Sequence, residues 1–397
     1  MPPERPHDYP FPISPGLEPD PFYASLRQHQ PVAPIRVRDA DGLYRSAWLV
    51  TGYREAKQVL SDRRFSRALA AGGGGNPRRA TTSMADLDGP AHTRLRTAVA
   101  SAFNAQRTRE LQPRITQIVN HCIDDMLSGD RPADLVTQLA LPLPITVIAD
   151  LLGIPEHDRG MFVEWADDFL ATSAADPTRT RTTRKAFSAY LNNLITQRRT
   201  TPTDDLLGTL IHNPGNDPLT DPELVGLAAI LLIGGYETTA NQLTNIVYTL
   251  LTHPGTYPQL AANRQLPSAL DELLRYVPLS INAPRPRTAT ENLNLSDVRI
   301  TAGDPVYVAR AIANRDHSIW PNGDHLDLHR TQPQTHLAFG YGPHYCLGAH
   351  LAGTELHTAL DTLLTRIPTL HLAAPPTTLH WKTAVTVVGL HELPVTW

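Results

Sequence analysis

The chain has 397 residues, 41% hydrophobic and 19% charged, enough to bury a large core in a globular protein. A net charge of −4 supplies no strong field for nucleic acid or an anionic membrane, and two distant cysteines, Cys122 and Cys346, build no disulfide framework and fit a reducing cytoplasm. No uninterrupted apolar run reaches the about 18 residues of a membrane span, and the proline-rich start MPPERPHDYPFPISPG lacks an apolar segment of signal-peptide length.

After an irregular arm over residues 1–17, the pattern predicts a helix over Pro21–His29 and strands over Val32–Val37 and Tyr44–Thr51 with a DADG turn between them. A second helix follows over Tyr53–Ser61. Next comes a basic, glycine-rich loop, RALAAGGGGNPRRATTS, whose four consecutive glycines specify no single conformation. In DLDGPAHTRLRTAVASAF, Pro90 suits a first helical turn and Asp88 a cap. His92 and Arg96, four apart, share one face of that helix, which the residues alone read as solvated. From about 106 to 212 helix follows helix, broken at GDRPAD, GIPEHD, ADPTRT and TPTDD, with Cys122 on a core face.

A long helix is predicted from about Pro222 to Thr252, capped by Thr220 or Asp221. Ile230, Ile233, Gly234, Glu237, Thr238 and Asn241 fall on one stripe, apolar at first and then glycine, acid, alcohol and amide. Two adjacent helical glycines cost about 1 kcal/mol each, so Gly234 and Gly235 are expected to make room for a bulky planar group. The bland alternative is a threonine bonded to the carbonyl four residues back and an exposed glutamate. Glu272 and Arg275 in SALDELLRYVP are spaced for an ion pair. APRPRTATENLNLSDVRITAGDPVYV reads as strands with a turn at TAGD, and LHWKTAVTVVGLHELPVTW as a closing hairpin.

The stretch FGYGPHYCLGAHLAGTEL places Cys346 between glycines 340, 342 and 348, at the mouth of a helix whose Leu356, Leu360 and Leu363 bury one face. Helix N-termini favour a thiolate, and a thiolate so presented suits the fifth position of a haem iron. FGYGPHYCLG resembles the haem-binding signature of the cytochrome P-450 family, with Phe339, Gly340, Gly342, His344, Cys346 and Gly348 on its defining positions. HTRLR, GGYETT, ExxR and ANRD occur in the family's order over roughly 40–395, with Tyr236 where the family frequently has His.

The resemblance implies a mainly α fold with small β-sheets, one domain over 1–397, and haem b between the long helix and the Cys-led helix. Cys346 would ligate the iron. His92, Arg96 and Arg287 would hold the propionates, with Arg285 a competitor for Arg287. Gly234, Phe339, His344 and Gly348 would line the cofactor. Glu237 and Thr238 would deliver protons for dioxygen activation, and Glu272, Arg275 and Arg330 would brace the cysteine loop. Ile230, Ile233, Ala283 and Pro284 would line an apolar substrate pocket, roofed by 162–199 and closed by the glycine-rich loop.

The implied activity is a monooxygenase acting on a small organic substrate or short peptide with O2, in the cytoplasm and without a membrane anchor. No dinucleotide or flavin fingerprint is seen, so a separate ferredoxin and ferredoxin reductase would supply electrons. Arg94, Arg107 and Arg109 are candidates to receive the ferredoxin. Oxidative coupling of aromatic rings without oxygen insertion stays open, as do two remoter readings. A Cys-dependent hydrolase would leave Glu237–Thr238 unexplained, and a haem sensor would turn nothing over.

Overall fold

A computed structural model describes residues 6–12, 16–38, 42–72, 83–162, 165, 177–212, 217–282, 285–331, 334–383 and 386–397. The DADG turn up to Asp41, most of the glycine-rich loop, most of the 162–176 roof segment, and Ala283 and Pro284 lie outside these residues. The chain divides into two compact units, the first made of 1–81, 85–92 and 271–346, the second of 82–84, 93–270 and 347–397.

The first unit is built on a six-stranded sheet, order β1-β2-β3-β9-β6-β4. Its strands are β1 (His7–Tyr9), β2 (Val32–Arg38), β3 (Tyr44–Val50), β4 (Phe65–Ser66), β6 (Arg287–Ala289) and β9 (Pro305–Val308). β2 and β3 pair antiparallel from Val32↔Val50 to Arg38↔Tyr44. The N-terminal arm is not wholly irregular, because β1 adds in parallel to β2 with His7 opposite Ile35. A hairpin of β7 (Leu293–Leu295) and β8 (Val298–Ile300) completes the strands of this unit. Its apolar residues pack with Val59 and Leu60 of the Tyr53–Ser61 helix and with Trp320 and Leu337 into one core.

The second unit is mainly helical. Asn104 caps the helix Ala105–Ser128 by accepting the Arg107 N–H at 2.8 Å. Ile115, Ile118, Val119, Cys122, Ile123 and Met126 are buried along one stripe of that helix, which is why Cys122 is core. Burial and the Asp125 charge push the Cys122 thiol up to about 11, away from reactivity. The long helix runs Asp221–Thr252, and Glu223 accepts the Thr220 N–H at 2.9 Å in a capping box. Among the described residues it is the one helix long and apolar enough to cross a membrane; half of its most apolar window is buried inside the protein, as in a core helix. Three short strands, β5 (Ala133–Asp134), β10 (His371–Leu372) and β11 (Pro394–Thr396), form a separate sheet in the order β10-β11-β5.

Candidate cofactor site

The cysteine loop is wound by backbone bonds. Cys346 N–H donates to the Phe339 carbonyl at 2.8 Å, and Gly340 and Tyr345 N–H close turns onto Leu337 and Gly342. Gly340 and Gly342 adopt φ of 78° and 72°, the left-handed region where a side chain is strained. At Gly342 space forbids one as well, since a Cβ would stand 2.6 Å from the Leu60 carbonyl oxygen. The result is an exposed thiol at Cys346, in no disulfide, beside a half-buried Phe339.

A buried ion cluster braces this loop. Arg275 grips Glu272 through two bonds, Nε–Oε2 at 2.7 Å and Nη2–Oε1 at 2.8 Å, and Arg330 Nε adds a third at 3.0 Å. Arg275 also donates to the carbonyls of Asn314, Gly323 and His325, and Asp327 N–H donates to Glu272. Asn314 in turn accepts the Leu337 N–H at 2.6 Å, two residues before Phe339. Both guanidiniums thus pair directly with the one carboxylate of the cluster and spend other donors on carbonyls, as buried ions require.

The cations nearby are not balanced in this way. Arg287 is buried and donates to the Phe65 carbonyl at 3.2 Å, yet forms no ion pair among the described residues. Arg67 donates to the Arg285 and Pro286 carbonyls and buries its Nε without a hydrogen bond. Burial, then the Arg287, Arg285 and Arg310 charges, push Arg67 down to about 10. Burial also lowers Arg287 and Arg310; the Asp88 charge opposes this at Arg287 and the Cys346 charge at Arg310. His92 is buried with its ring 4.2 Å from that of His344.

The carboxylates in reach are committed. Asp88 does not cap its helix with its side chain; it accepts from Ser66 Oγ at 2.6 Å and Ala68 N–H at 2.9 Å and lies 3.5 Å from His344 Nε2. Burial raises its carboxyl, but the bonds from His344, Ser66 and the Ala68 and Arg67 backbone outweigh that and hold it well below the usual carboxylate range. Asp86 pairs with Arg285 at 3.0 Å, and the Arg285 side chain is half exposed. Of the two competing arginines, Arg287, which opens β6, is therefore the one turned into the cluster, whereas Arg285 precedes the strand.

In the second unit, the adjacent glycines of the long helix serve different ends. A Cβ at Gly235 would sit 3.1 Å from Ile148, so this glycine lets the helix Pro142–Leu152 approach closely; only Gly234 faces open space. The expectation that both glycines clear a planar group is corrected at Gly235, whose missing side chain is taken up by Ile148. Thr238 Oγ1 donates to the Gly234 carbonyl at 2.5 Å, the back-bond of the bland reading. Glu237 departs from that reading. It is buried, with Oε1 2.6 Å from Lys382 Nζ and 2.7 Å from Asn241 Nδ2. Half-buried Ile233 lines a small cavity with Ile145, Phe162, Trp165, Phe187, Leu232, Tyr236 and Glu237, while Ile230 is half-buried on the same helix.

Arg96 is half-buried and makes no ion pair among the described residues. Arg94 cannot serve as a free surface cation, because Asp217 and Glu223 each approach it at 2.5 Å; Arg107 pairs with Glu110 at 3.0 Å. Arg67, Arg310 and Lys382 were not singled out in the sequence. Lys382 left a trace as the one Lys, Arg, Asp or Glu in HWKTAVTVVGL, whereas Arg67 and Arg310 left none.

These features fit a haem. In the first unit, an exposed thiol in no disulfide beside cations in excess of carboxylates suits a dianionic group with a thiolate-seeking metal; in the second unit, a Cβ at Gly234 or at Gly348 would meet no protein atom within 4 Å. Among the described residues no cluster of His, Cys, Asp and Glu offers a metal site built from several side chains.

The comparisons with known proteins agree. Residues 42–395 match the cytochrome P450 family model. The chain is 42% identical over 395 residues to nocardicin C N-oxygenase of Nocardia uniformis subsp. tsuyamanensis, covering 98% of both chains. It is 40% identical to mycinamicin IV hydroxylase/epoxidase of Micromonospora griseorubida, covering 99% of both. A crystal structure of HinD with NMFT and NO superposes with a TM-score of 0.92 at 40% identity, covering 99% of this chain and 100% of the other. In sequence along almost its whole length, and in fold, this chain belongs to the cytochrome P450 family of haem b monooxygenases.

Proposed function

We propose that this P450 oxygenates a small organic secondary metabolite in the cytoplasm, with electrons from a separate ferredoxin and ferredoxin reductase. The observation that carries the reading is the exposed Cys346, in no disulfide, on its glycine-wound loop, set against the buried Cys122. Haem b held at Cys346 supplies dioxygen activation and substrate oxidation.

The chain's own residues do the rest. His92, Arg96, Arg287 and His344 hold the two propionates, and Arg67 and Arg310 add positive charge behind them. Glu272, Arg275 and Arg330 keep the Phe339–Gly348 loop in one shape, so the thiolate is placed before the cofactor arrives. Thr238 orients a water through its hydroxyl, and Glu237 passes protons inward from the protein side. Ile230 and Ile233 give the substrate an apolar wall. The relatives' names support the substrate class: one acts as an N-oxygenase on nocardicin C, another as a hydroxylase/epoxidase on mycinamicin IV.

The test is reconstitution with a ferredoxin, its reductase and NAD(P)H, after a metabolite library has been screened for a Soret shift. A product heavier by one oxygen supports the reading. A product lighter by two hydrogens replaces it with oxidative coupling, and no NAD(P)H consumption with any Soret-shifting compound overturns it.

A further inference from the structure

Glu237 does not stand open to solvent beside Thr238. The residue is 2% exposed, and no hydrogen bond joins its carboxylate to Thr238 among the described residues. One side meets a small, mainly apolar cavity lined by Ile145, Phe162, Trp165, Phe187, Leu232, Ile233 and Tyr236, which offers no charged partner for the carboxylate. On the other, Lys382 Nζ lies 2.6 Å from Oε1, both side chains being more than nine-tenths buried. Asn241 Nδ2 bonds the same oxygen at 2.7 Å and the Glu237 carbonyl at 2.8 Å, so amide and ammonium share one acceptor.

Lys382 reaches this place because its hairpin is fixed to the long helix. Lys382 N–H donates to the Gly389 carbonyl at 2.8 Å, and Trp381 bridges Leu390. Asn245 Nδ2 donates to the Val388 carbonyl at 2.9 Å, and the Trp381 ring stands edge-on to Tyr248 at 5.2 Å. Gly389 lies so close to Asn241 that an added Cβ would overlap its carboxamide. A loosely draped tail needs none of these fittings.

We propose that Lys382 is the positioning residue for Glu237, holding the acid ionised and fixed in direction, so that the C-terminal hairpin governs proton delivery to the oxygen side of the helix. This rests on the proton-relay reading of Glu237 and adds the group that controls it. Removing the ammonium leaves a buried carboxylate without a cation, which takes up a proton rather than stay charged.

The experiment compares holoenzyme carrying Lys382→Met, Lys382→Arg, Glu237→Gln and Lys382→Met/Glu237→Gln. Infrared spectra of Lys382→Met at neutral pH are expected to gain one C=O stretch of a protonated carboxyl beyond the band of Glu355 that all the proteins share, and this added band should be missing from the wild type, from Lys382→Arg and from the double variant. With a Soret-shifting substrate, Lys382→Met is expected to divert severalfold more NAD(P)H to peroxide and to enlarge the solvent isotope effect, with Lys382→Arg restoring most of the coupling. Should Lys382→Met fail to fold, Lys382→Gln takes its place, and Gly389→Ala, which displaces Asn241 and the hairpin, should uncouple in the same direction. Wild-type coupling in Lys382→Met together with no new carboxyl band overturns the proposal. If Glu237→Gln alone leaves coupling unchanged, the relay reading fails instead, and the infrared band still decides whether Lys382 sets the state of Glu237.

Discussion

Two groups of buried charge in the first unit contrast. Around Glu272 every charge is answered within the protein, one carboxylate facing two guanidiniums whose remaining donors find carbonyls. Around Arg287 the protein supplies cations and withholds anions, since Asp88 and Asp86 are engaged with Ser66, Ala68 and Arg285. A cluster whose guanidiniums pair with a carboxylate of the chain is a brace that stands without a ligand. A cluster in cationic surplus is built for an anion that the chain does not itself provide, and folding alone gives it no reason to exist.

The sharpest way to break this comparison is to remove one member from each group. Arg275→Ala strands a buried Glu272 and should cost about 3–5 kcal/mol, read as a large fall in thermal midpoint with and without haem. Arg287→Gln should act in the opposite sense on the apo protein, leaving its midpoint unchanged or raised because guanidinium repulsion is relieved. Its haem should dissociate about 10- to 100-fold more readily, the worth of one charge-assisted hydrogen bond of about 1.5–3 kcal/mol. If both variants destabilise the apo protein alike, the contrast is false.

A third test uses Glu355 on the Cys-led helix Ala349–Arg366, where Oε2 is buried without a partner and burial pushes the carboxyl up to about 8. The folded chain keeps this proton in a range where the unfolded chain has released it. Stability from this group is therefore full below about 4.5 and lost as pH rises toward 8, on the order of a few kcal/mol at most. Glu355→Gln should flatten that decline in thermal scans from pH 5 to 8. The smallest effect is expected from Arg285→Gln, which removes a half-exposed pair with Asp86 and should change stability by less than about 1 kcal/mol and haem retention not at all.

What could be read in the sequence was what lies close along the chain. The cysteine loop, the three-residue spacing of Glu272 and Arg275, and the bounds and cap of the long helix follow from local spacing, and the structure keeps them. The purpose of Gly235 was misread, because its neighbour Ile148 lies on another helix. Lys382 meets Glu237 across 145 residues, and Arg67 and Arg310 join Arg287 from separate elements, so no periodicity announces them. Glu355 was legible in principle, since it shares the inner stripe of its helix with Leu351 and Ala359. Resemblance located the motifs; tertiary contact showed which charges are answered and which are left over.

The central claim is that the surplus cations and the exposed thiol of Cys346 together hold a thiolate-ligated haem. Reducing the purified protein under carbon monoxide tests it most directly. The long-wavelength Soret band of thiolate-ligated haem should appear in the wild type and vanish in Cys346→Ser. A band at the shorter wavelength of histidine-ligated haem in the wild type, or an unchanged spectrum in Cys346→Ser, would contradict the account.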